Sequence, residues 1–261
     1  MNERESIEYY LSRMPEIVAM LESHARTWRP FLTAAYGGPF AEGVIGESQE
    51  RSKALIPTLP YIGGDHNPMT RHLLRSTASL VLYQAMKARG RTAEETGKIL
   101  YEAVTASVGR LPCRDFELTA EYVASEKARA RRSQERPYPG DWVWEFVEGD
   151  GEAFDFGCDF LECGTQKLYL SHGAQEFLPY YCYLDFATHR MSGWGFARSM
   201  TLAEGYPRCD FRWKRGGETE KGWPPPSVPV DPEDKRTEAS TMRWIALTSP
   251  LAPGCLLHRV G

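Results

Sequence analysis

The chain has 261 residues, of which 42% are hydrophobic and 25% are charged, and its formal net charge at pH 7 is -4. This composition is typical of a globular protein with a sizeable core and excludes a disordered or fibrous one. The negative charge argues against binding of nucleic acid by phosphate neutralisation, and the sequence has no run of 18 apolar residues that could span a membrane.

The first ten residues and the six cysteines both indicate a reducing compartment. The start, MNERESIEYY, lacks the basic and apolar regions of a signal peptide. The cysteines form no CxxC pair and no dense disulfide framework, so we expect free thiols and a cytoplasmic location. The Cys and His spacings match none of the usual paired zinc-ligand patterns. The sequence accordingly predicts no metal and no cofactor.

Residues 1–136 have helical patterning. Apolar residues recur at helical spacing from Leu74 to Ala85, and Gly90 is expected to end that helix. Thr92 and Glu95 form a capping box, in which the Thr92 hydroxyl accepts from the Glu95 amide and the Glu95 side chain reaches back. Between the early helices lies a loop with two glycines, and its Asn67 is a candidate to line a pocket.

Residues 137–213 contain more than half of the aromatic residues and show the alternation of β-strands. The runs at 142–146 and 154–160 alternate on either side of a glycine-containing turn, which predicts a hairpin. A helix broken near Gly173 and a second helix beginning near Pro179 follow.

A second hairpin is predicted through the turn EGYP at 204–207. The register sets Leu202 opposite Cys209 and Thr201 opposite Asp210. One face of this hairpin is then apolar and the other polar, as strand alternation requires.

These patterns predict an α+β fold, in which a helical N-terminal half packs on a small antiparallel β-sheet with two or more inserted helices. We expect a single domain over residues 1–213, with a helical part at 1–136 and a sheet-containing part at 137–213. After this point the chain becomes polar and proline-rich, so residues 214–261 are predicted to form a C-terminal extension. The sequence leaves a homo-oligomer open.

Thiols and carboxylates crowd among the aromatic residues of the second part, and such settings perturb pKa values as active sites do. Cys163 begins a predicted helix whose N-terminus favours the thiolate, although the neighbouring Glu162 opposes this effect. Asp159 interrupts an aromatic strand, where a buried carboxylate needs a partner or a catalytic task. The candidate catalytic residues are Asp159, Glu162, Cys163, Cys209 and Asp210. The alternative for Cys163 and Cys209 is that they pack as small hydrophobes.

At these positions the sequence resembles the L-2-amino-thiazoline-4-carboxylic acid hydrolase family, over roughly residues 55–213. The shared motifs, in chain order, are Leu59-Pro-x-Ile-Gly-Gly-x-x-Asn67, Phe156-x-x-Asp159-Phe-x-Glu162-Cys163-Gly164, Gly173-Ala-x-Glu-x-x-Pro179-x-x-Cys182-x-x-Asp185, Thr201-Leu-Ala-x-Gly205 and Cys209-Asp-Phe-Arg212. Relatives tend to carry Tyr where this chain has Cys158.

The resemblance implies a hydrolase that opens a cyclic isothiourea by adding water at its amidine-like carbon. Attack at that carbon needs a nucleophile, either a thiolate such as Cys163 or Cys209 or a water activated by a carboxylate. A substrate carboxylate would need a cation, and Arg198 and Arg212 are nearest in sequence. Cys182 and Asp185 lie three residues apart on one predicted helix and so share a face. The substrate-binding candidates are Asn67, Cys182, Asp185, Arg198, Thr201 and Arg212.

Two other functions stay open at this point. One is a biosynthetic tailoring enzyme that uses the same pocket for cyclisation or isomerisation. The other is a non-enzymatic domain that binds a small molecule between its aromatic residues. In each case the expected partner is a small molecule, and neither nucleic acid nor a membrane is expected.

Overall fold

The computed structural model describes residues 3–108, 118–189, 194–219 and 222–225, with side chains from residue 6 onward. Its helices are α1 (Glu3–Ser12), α2 (Met14–Tyr36), α3 (Gly38–Leu55), α4 (Met69–Lys87), α5 (Ala93–Val108), α6 (Ala120–Gln134), α7 (Gly164–Ser171), α8 (Leu178–Cys182) and α9 (Leu184–His189). The strands are β1 (Val143–Glu148), β2 (Phe156–Glu162), β3 (Trp194–Ala197) and β4 (Cys209–Arg215). The α+β fold with a helical N-terminal half is confirmed.

The helical half is organised around α4, which is buried along most of its length. The amphipathic α2 buries residues at intervals of three and four, among them Leu21, Ala25 and Trp28, and packs against α3 and α5. The capping box at the start of α5 is confirmed. The amide of Thr92 donates to Glu95 Oε2 at 2.7 Å, and the amide of Glu95 donates to Thr92 Oγ1 at 3.1 Å.

The four strands form one antiparallel sheet in the order β1-β2-β4-β3. The expected hairpin of β1 and β2 is confirmed, with Trp144 opposite Phe160 and Phe146 opposite Cys158. Alternation puts Cys158, the tryptophans and the phenylalanines on one face, the aromatic face. Helix α6 packs beside β1, where the Ser133 hydroxyl both accepts from the amide of Trp144 and donates to its carbonyl.

The register expected for the last hairpin is wrong. In the structure Phe196 lies opposite Trp213 and Ala197 opposite Arg212, and Leu202–Glu204 forms a 3-10 turn instead of a strand. The physical reason is Asp210, whose carboxylate accepts the amides of Ser199 and Met200 at 2.9 and 2.6 Å. These bonds satisfy the amides that a longer β3 would have paired with β4, so the ladder stops early.

Part of the predicted C-terminal extension lies within the described residues. Strand β4 continues to Arg215, and the ring of Trp223 packs near Tyr101 and Tyr180, with ring centroids 5.6 and 6.0 Å away. The Tyr183 hydroxyl donates to the carbonyl of Gly222 at 2.9 Å. Residues 226–261 lie outside the described part. None of the helices that the structure describes is long and apolar enough to cross a membrane.

Gly164, the first residue of α7, offers a test of how tightly α7 packs on the segment that leads into β1. A Cβ atom there would lie 2.6 Å from the Trp142 ring and 2.8 Å from the carbonyl oxygen of Gly140. Gly164→Ala should therefore lower the free energy of unfolding by about 2 kcal/mol through overpacking, as measured by urea denaturation. Gly46→Ala in α3 is the matched control, because its Cβ would meet nothing within 4 Å. If both variants keep wild-type stability, the close approach of α7 is wrong.

Candidate active site

A buried ion pair lies where β3 meets α8 and α9. Arg198 Nη1 is 2.5 Å from Asp185 Oδ2, and Arg198 Nη2 donates to the carbonyl of Cys182 at 2.9 Å. The Arg198 side chain is 4% exposed, whereas the Asp185 side chain is 31% exposed. The carboxylate is therefore the part of the pair that an incoming molecule can reach.

Aromatic rings enclose the guanidinium of Arg198. Its central carbon lies 5.1 Å from the ring centroids of both Phe186 and Phe211 and 6.0 Å from that of Phe196. Cation–π attraction is strongest where the cation is desolvated. The rings thus hold the cation in place while Asp185 balances its charge.

Three thiols lie close enough to interact electrostatically with this ion pair or with one another. The Cys163 and Cys209 thiols, the Arg198 guanidinium and the Asp185 carboxylate all act electrostatically on the Cys182 thiol. Burial raises the pKa of Cys182 well above its usual range and that of Cys209 to about 12. Cys209 is buried, and its sulfur accepts from the amide of Leu202 at 3.2 Å. Cys182 and Cys209 are therefore neutral thiols at pH 7.

Cys163 differs from the other two thiols because hydrogen-bond donors converge on it. It is the N-cap of α7, as expected, and its sulfur accepts from the amide of Gln166 at 3.4 Å. Burial raises the pKa of Cys163, but the amides of Gln166 and Thr165 and the side chains of Trp142 and Thr165 oppose that rise. Donors of this kind favour the thiolate and offset part of the rise that burial causes.

Helix α4 contributes His72 and Ser76, two residues that the sequence analysis missed. The His72 ring packs edge-on against Trp142 with centroids 5.4 Å apart, and Trp142 also contacts the Cys163 sulfur. Burial lowers the pKa of His72, while Asp185 opposes the shift. The Ser76 hydroxyl lies 2.8 Å from that of Thr165 and 3.1 Å from that of Tyr181. A neutral imidazole and a hydroxyl chain therefore border the thiols.

His189 joins the ion pair to a cavity on the aromatic face of the sheet. Its Nδ1 accepts from the Trp213 indole at 3.3 Å, and its ring stacks on Phe196 with centroids 4.6 Å apart. Burial lowers the pKa of His189, Asp185 raises it and Arg198 lowers it further. The cavity has a volume of about 300 Å³, and His189 is part of its wall.

Two of the candidate acids lie on the opposite face of the sheet. Asp159 alternates with the aromatic residues of β2 and pairs with Arg212 at 2.7 Å and with Arg208 at 3.1 Å. Asp210 lies opposite Asp159 in the ladder, and its carboxylate holds the loop amides that end β3. The structure does not bring Asp159, Asp210 or Arg212 to the thiols, because strand alternation turns their side chains away.

Glu162 is close to Cys163 in sequence but is engaged elsewhere. Its carboxylate pairs with Arg136 and, at 2.5 Å, with Lys167. Lys167 Nζ also donates to the carbonyls of Pro139 and Asp141 at 2.8 Å. Glu162 therefore fastens the start of α7 to the chain that leads into β1.

Asn67 and Thr201 also make local structural contacts. The amide nitrogen of Asn67 donates to Asp141 at 2.6 Å and to the carbonyl of Ile62 at 2.5 Å, and its oxygen accepts from the amide of Met69. Thr201 caps the 3-10 turn by bonding the amide and the carboxylate of Glu204. None of these hydrogen bonds connects Asn67 or Thr201 to the ion pair of Arg198 and Asp185.

Cys182 and Asp185 do not share one helix, contrary to the expectation. Cys182 ends α8, and Asp185 lies in the first turn of α9, after a break at Tyr183. The Tyr183 ring is buried 4.9 Å from that of Phe186, and its hydroxyl is bonded to Gly222. These long-range contacts fix the break, which a local helical pattern does not reveal. Arg198 nevertheless brings the two residues together.

Within the described ranges, no group of three or more His, Cys, Asp or Glu side chains is arranged to hold a metal ion. The cysteines described as free thiols are Cys158, Cys163, Cys182 and Cys209.

The α+β fold thus holds three thiols close to an ion pair whose arginine is buried. The sequence model of the L-2-amino-thiazoline-4-carboxylic acid hydrolase family matches residues 71–213, more than half of the chain, and the chain belongs to this family. The family resemblance seen in the motifs is thereby confirmed. The matched segment runs from α4 to β4 and includes the three thiols, the ion pair and His72. No curated protein and no solved structure matches the chain.

The pairing of Asp159 gives a prediction about stability. Asp159→Asn should lower the free energy of unfolding by about 3 kcal/mol, because it leaves the largely buried Arg212 without its carboxylate. Urea denaturation measures this loss, and Asp150→Asn in the exposed β1–β2 turn is the matched control. In a double-mutant cycle, Asp159→Asn should cost much less when Arg212 is already Gln. A stable Asp159→Asn protein without turnover would instead give Asp159 the catalytic role expected from the sequence.

The two buried histidines predict how stability depends on pH. Burial lowers the folded-state pKa of His72 and His189. The contribution of the two neutral rings to the free energy of unfolding is therefore complete above the unfolded-state pKa of about 6.5. It is lost as the pH falls below that value, since the unfolded chain then binds more protons. The free energy of unfolding should therefore fall between pH 7 and pH 5, and less so in His189→Gln. His66→Gln removes an exposed histidine as the matched control. Equal pH dependence in His189→Gln and wild type would contradict this prediction.

Proposed function

We propose that the protein is a hydrolase that opens a small cationic heterocycle by adding water at an amidine-type carbon. The observation that carries the proposal is the accessible Asp185 carboxylate, held by the buried Arg198 beside three thiols. The family to which the chain belongs is named for 2-amino-thiazoline-4-carboxylate, whose ring contains such a carbon.

Asp185 is proposed to bind the amidine group. A carboxylate accepts two parallel hydrogen bonds from a planar cation with two N–H groups, as it does from arginine. The guanidinium of Arg198 pairs with this carboxylate at 2.5 Å. Since Arg198 is itself almost fully buried, it orients Asp185 and is not the group that a substrate reaches first.

Cys163 is proposed as the nucleophile. Donors from α7 and from Trp142 converge on its sulfur, whereas Cys209 is buried and has a pKa of about 12. A cationic substrate bound at Asp185 would add a positive charge to the site, which opposes the rise that burial causes in the pKa of the Cys163 thiol. Substrate binding would thus produce the thiolate.

His72 is proposed to accept the proton of Cys163. Its lowered pKa keeps the imidazole neutral at pH 7, which is the form that a general base requires. The thiolate then adds to the amidine carbon, and the ring C–N or C–S bond breaks as its leaving atom takes the proton. Water releases the product from the sulfur, so the net change is the addition of one water molecule.

The experiment is turnover of 2-amino-thiazoline-4-carboxylate by the full chain. Cys163→Ala should lower kcat by about a thousandfold or more, as loss of a nucleophile does. Asp185→Asn should lower kcat/KM by about a hundredfold, as loss of a desolvated charge partner does. Asp65→Asn, in the loop before α4, is the matched control, and thermal melting of each variant separates loss of fold from loss of chemistry.

Each other outcome has a definite meaning. If Cys163→Ala keeps near wild-type turnover, the nucleophile is a water molecule activated by His72 and not the thiolate. Binding that depends on Asp185, without release of a carbamoyl product, would favour the non-hydrolytic tailoring reaction. If the heterocycle does not bind, the proposal is wrong.

A further inference from the structure

The cavity on the aromatic face lies between the sheet and the start of α6, and its walls are mostly rings. Trp144, Phe156, Phe160 and Trp213 come from the strands, and Tyr122 comes from α6. Its volume of about 300 Å³ is far larger than the small voids of a packed core and reaches the lower end of the range for ligand pockets.

The walls suit a flat, apolar group. Phe156 and Trp213 are stacked, with centroids 4.9 Å apart and planes at 14°, so each ring holds the other in a fixed orientation in the wall. Cys158 and Met69 add polarisable sulfur atoms, which interact well with aromatic rings. The charges of Glu126 and Arg129 in the wall compensate each other in an ion pair. An aromatic ring can therefore enter without leaving an unpaired charge behind.

The cavity is one helical turn from the ion pair. Asp185 and His189 are four residues apart on α9, so their side chains lie on the same face of the helix, and His189 is part of the cavity wall. The rings give a second link, because Phe160 packs on Phe211 at 5.1 Å, and Phe211 lies under Arg198. The cavity and the ion pair therefore share the side chains that separate them, His189 and the packed rings of Phe160 and Phe211.

We propose that the aromatic cavity is a specificity subsite that binds an aryl group attached to the cationic substrate. The substrate class is accordingly an aryl-substituted amidine or cyclic isothiourea, larger than 2-amino-thiazoline-4-carboxylate. This inference rests on the proposed function only for the binding of the amidine group at Asp185. The cavity itself is lined by none of the thiols Cys163, Cys182 and Cys209.

The test compares benzamidine, which carries an aryl group and an amidinium, with acetamidine, which carries the amidinium alone. Titration calorimetry on the full chain should give a dissociation constant at least about tenfold lower for benzamidine. Cys158→Phe should fill the cavity and remove this difference without weakening acetamidine, and Cys158→Ser, which preserves the volume, should keep it. Met69→Phe fills the cavity from α4 and replaces Cys158→Phe if that protein does not fold. Asp185→Asn should weaken both ligands by the same factor.

The outcomes of this experiment distinguish the aryl subsite from the proposed role of Asp185. Equal affinity for the two amidines, or an aryl advantage that survives both filling variants, overturns the subsite while the role of Asp185 stands. If Asp185→Asn weakens neither ligand but filling the cavity still removes the aryl advantage, the proposed function fails and the aryl site stands.

Discussion

The site depends on the burial of one guanidinium. Arg198 lies beneath three phenylalanine rings and is almost fully removed from water, and a charge in that position requires an anion and acceptors of fixed geometry. Asp185 supplies the anion and the carbonyl of Cys182 supplies an acceptor. The ends of β3 and α8 and the start of α9 are thereby held at one point. The carboxylate is partly exposed to solvent while its partner cation is enclosed by rings.

The two faces of the sheet divide the charged residues between separate tasks. On one face the aromatic rings meet the thiols and the ion pair, and on the other Asp159 and Asp210 hold arginines and loop amides. Asp159 and Asp210 therefore hold the sheet and its loop together, whereas Asp185 is the carboxylate that we propose binds the substrate. The family match spans both faces, so membership of the family does not by itself distinguish a structural motif residue from a catalytic one.

Local signals in the sequence were sufficient for much of the fold. Alternation predicted the β1–β2 hairpin, Thr92 and Glu95 predicted the start of α5, and the position of Cys163 at a helix N-terminus was predicted from its place after a strand. The role of Asp159 was harder to predict, because its partner Arg212 comes from β4 and Arg208 from the loop before it. The register of β3 failed for the same reason, since side-chain bonds to Asp210 replaced the ladder.

The residues missed on α4 show a different limit. His72 and Ser76 lie on a helix whose apolar pattern accounts for its burial, and the available signal was the number of hydroxyl side chains on that buried helix, including Thr70, Thr77 and Ser79. Buried hydroxyls on a helix often bond their own backbone, as Thr77 does to the carbonyl of Leu73. Only the three-dimensional contacts separate Ser76, which reaches Thr165 and Tyr181, from such residues.

The packing of Trp223 affects where the C-terminal boundary of an expressed fragment of this protein can lie. Its ring covers Tyr180, and both crowd Gly97, where a Cβ would lie 2.6 Å from Tyr180 and 3.0 Å from Trp223. Helix α8, which ends at Cys182, is therefore braced from outside by a residue ten positions beyond the end of the matched segment. A recombinant fragment trimmed to the family boundary at residue 213 would retain Cys163, Cys182 and Cys209 and lose the brace. Expression boundaries for this protein belong after residue 225.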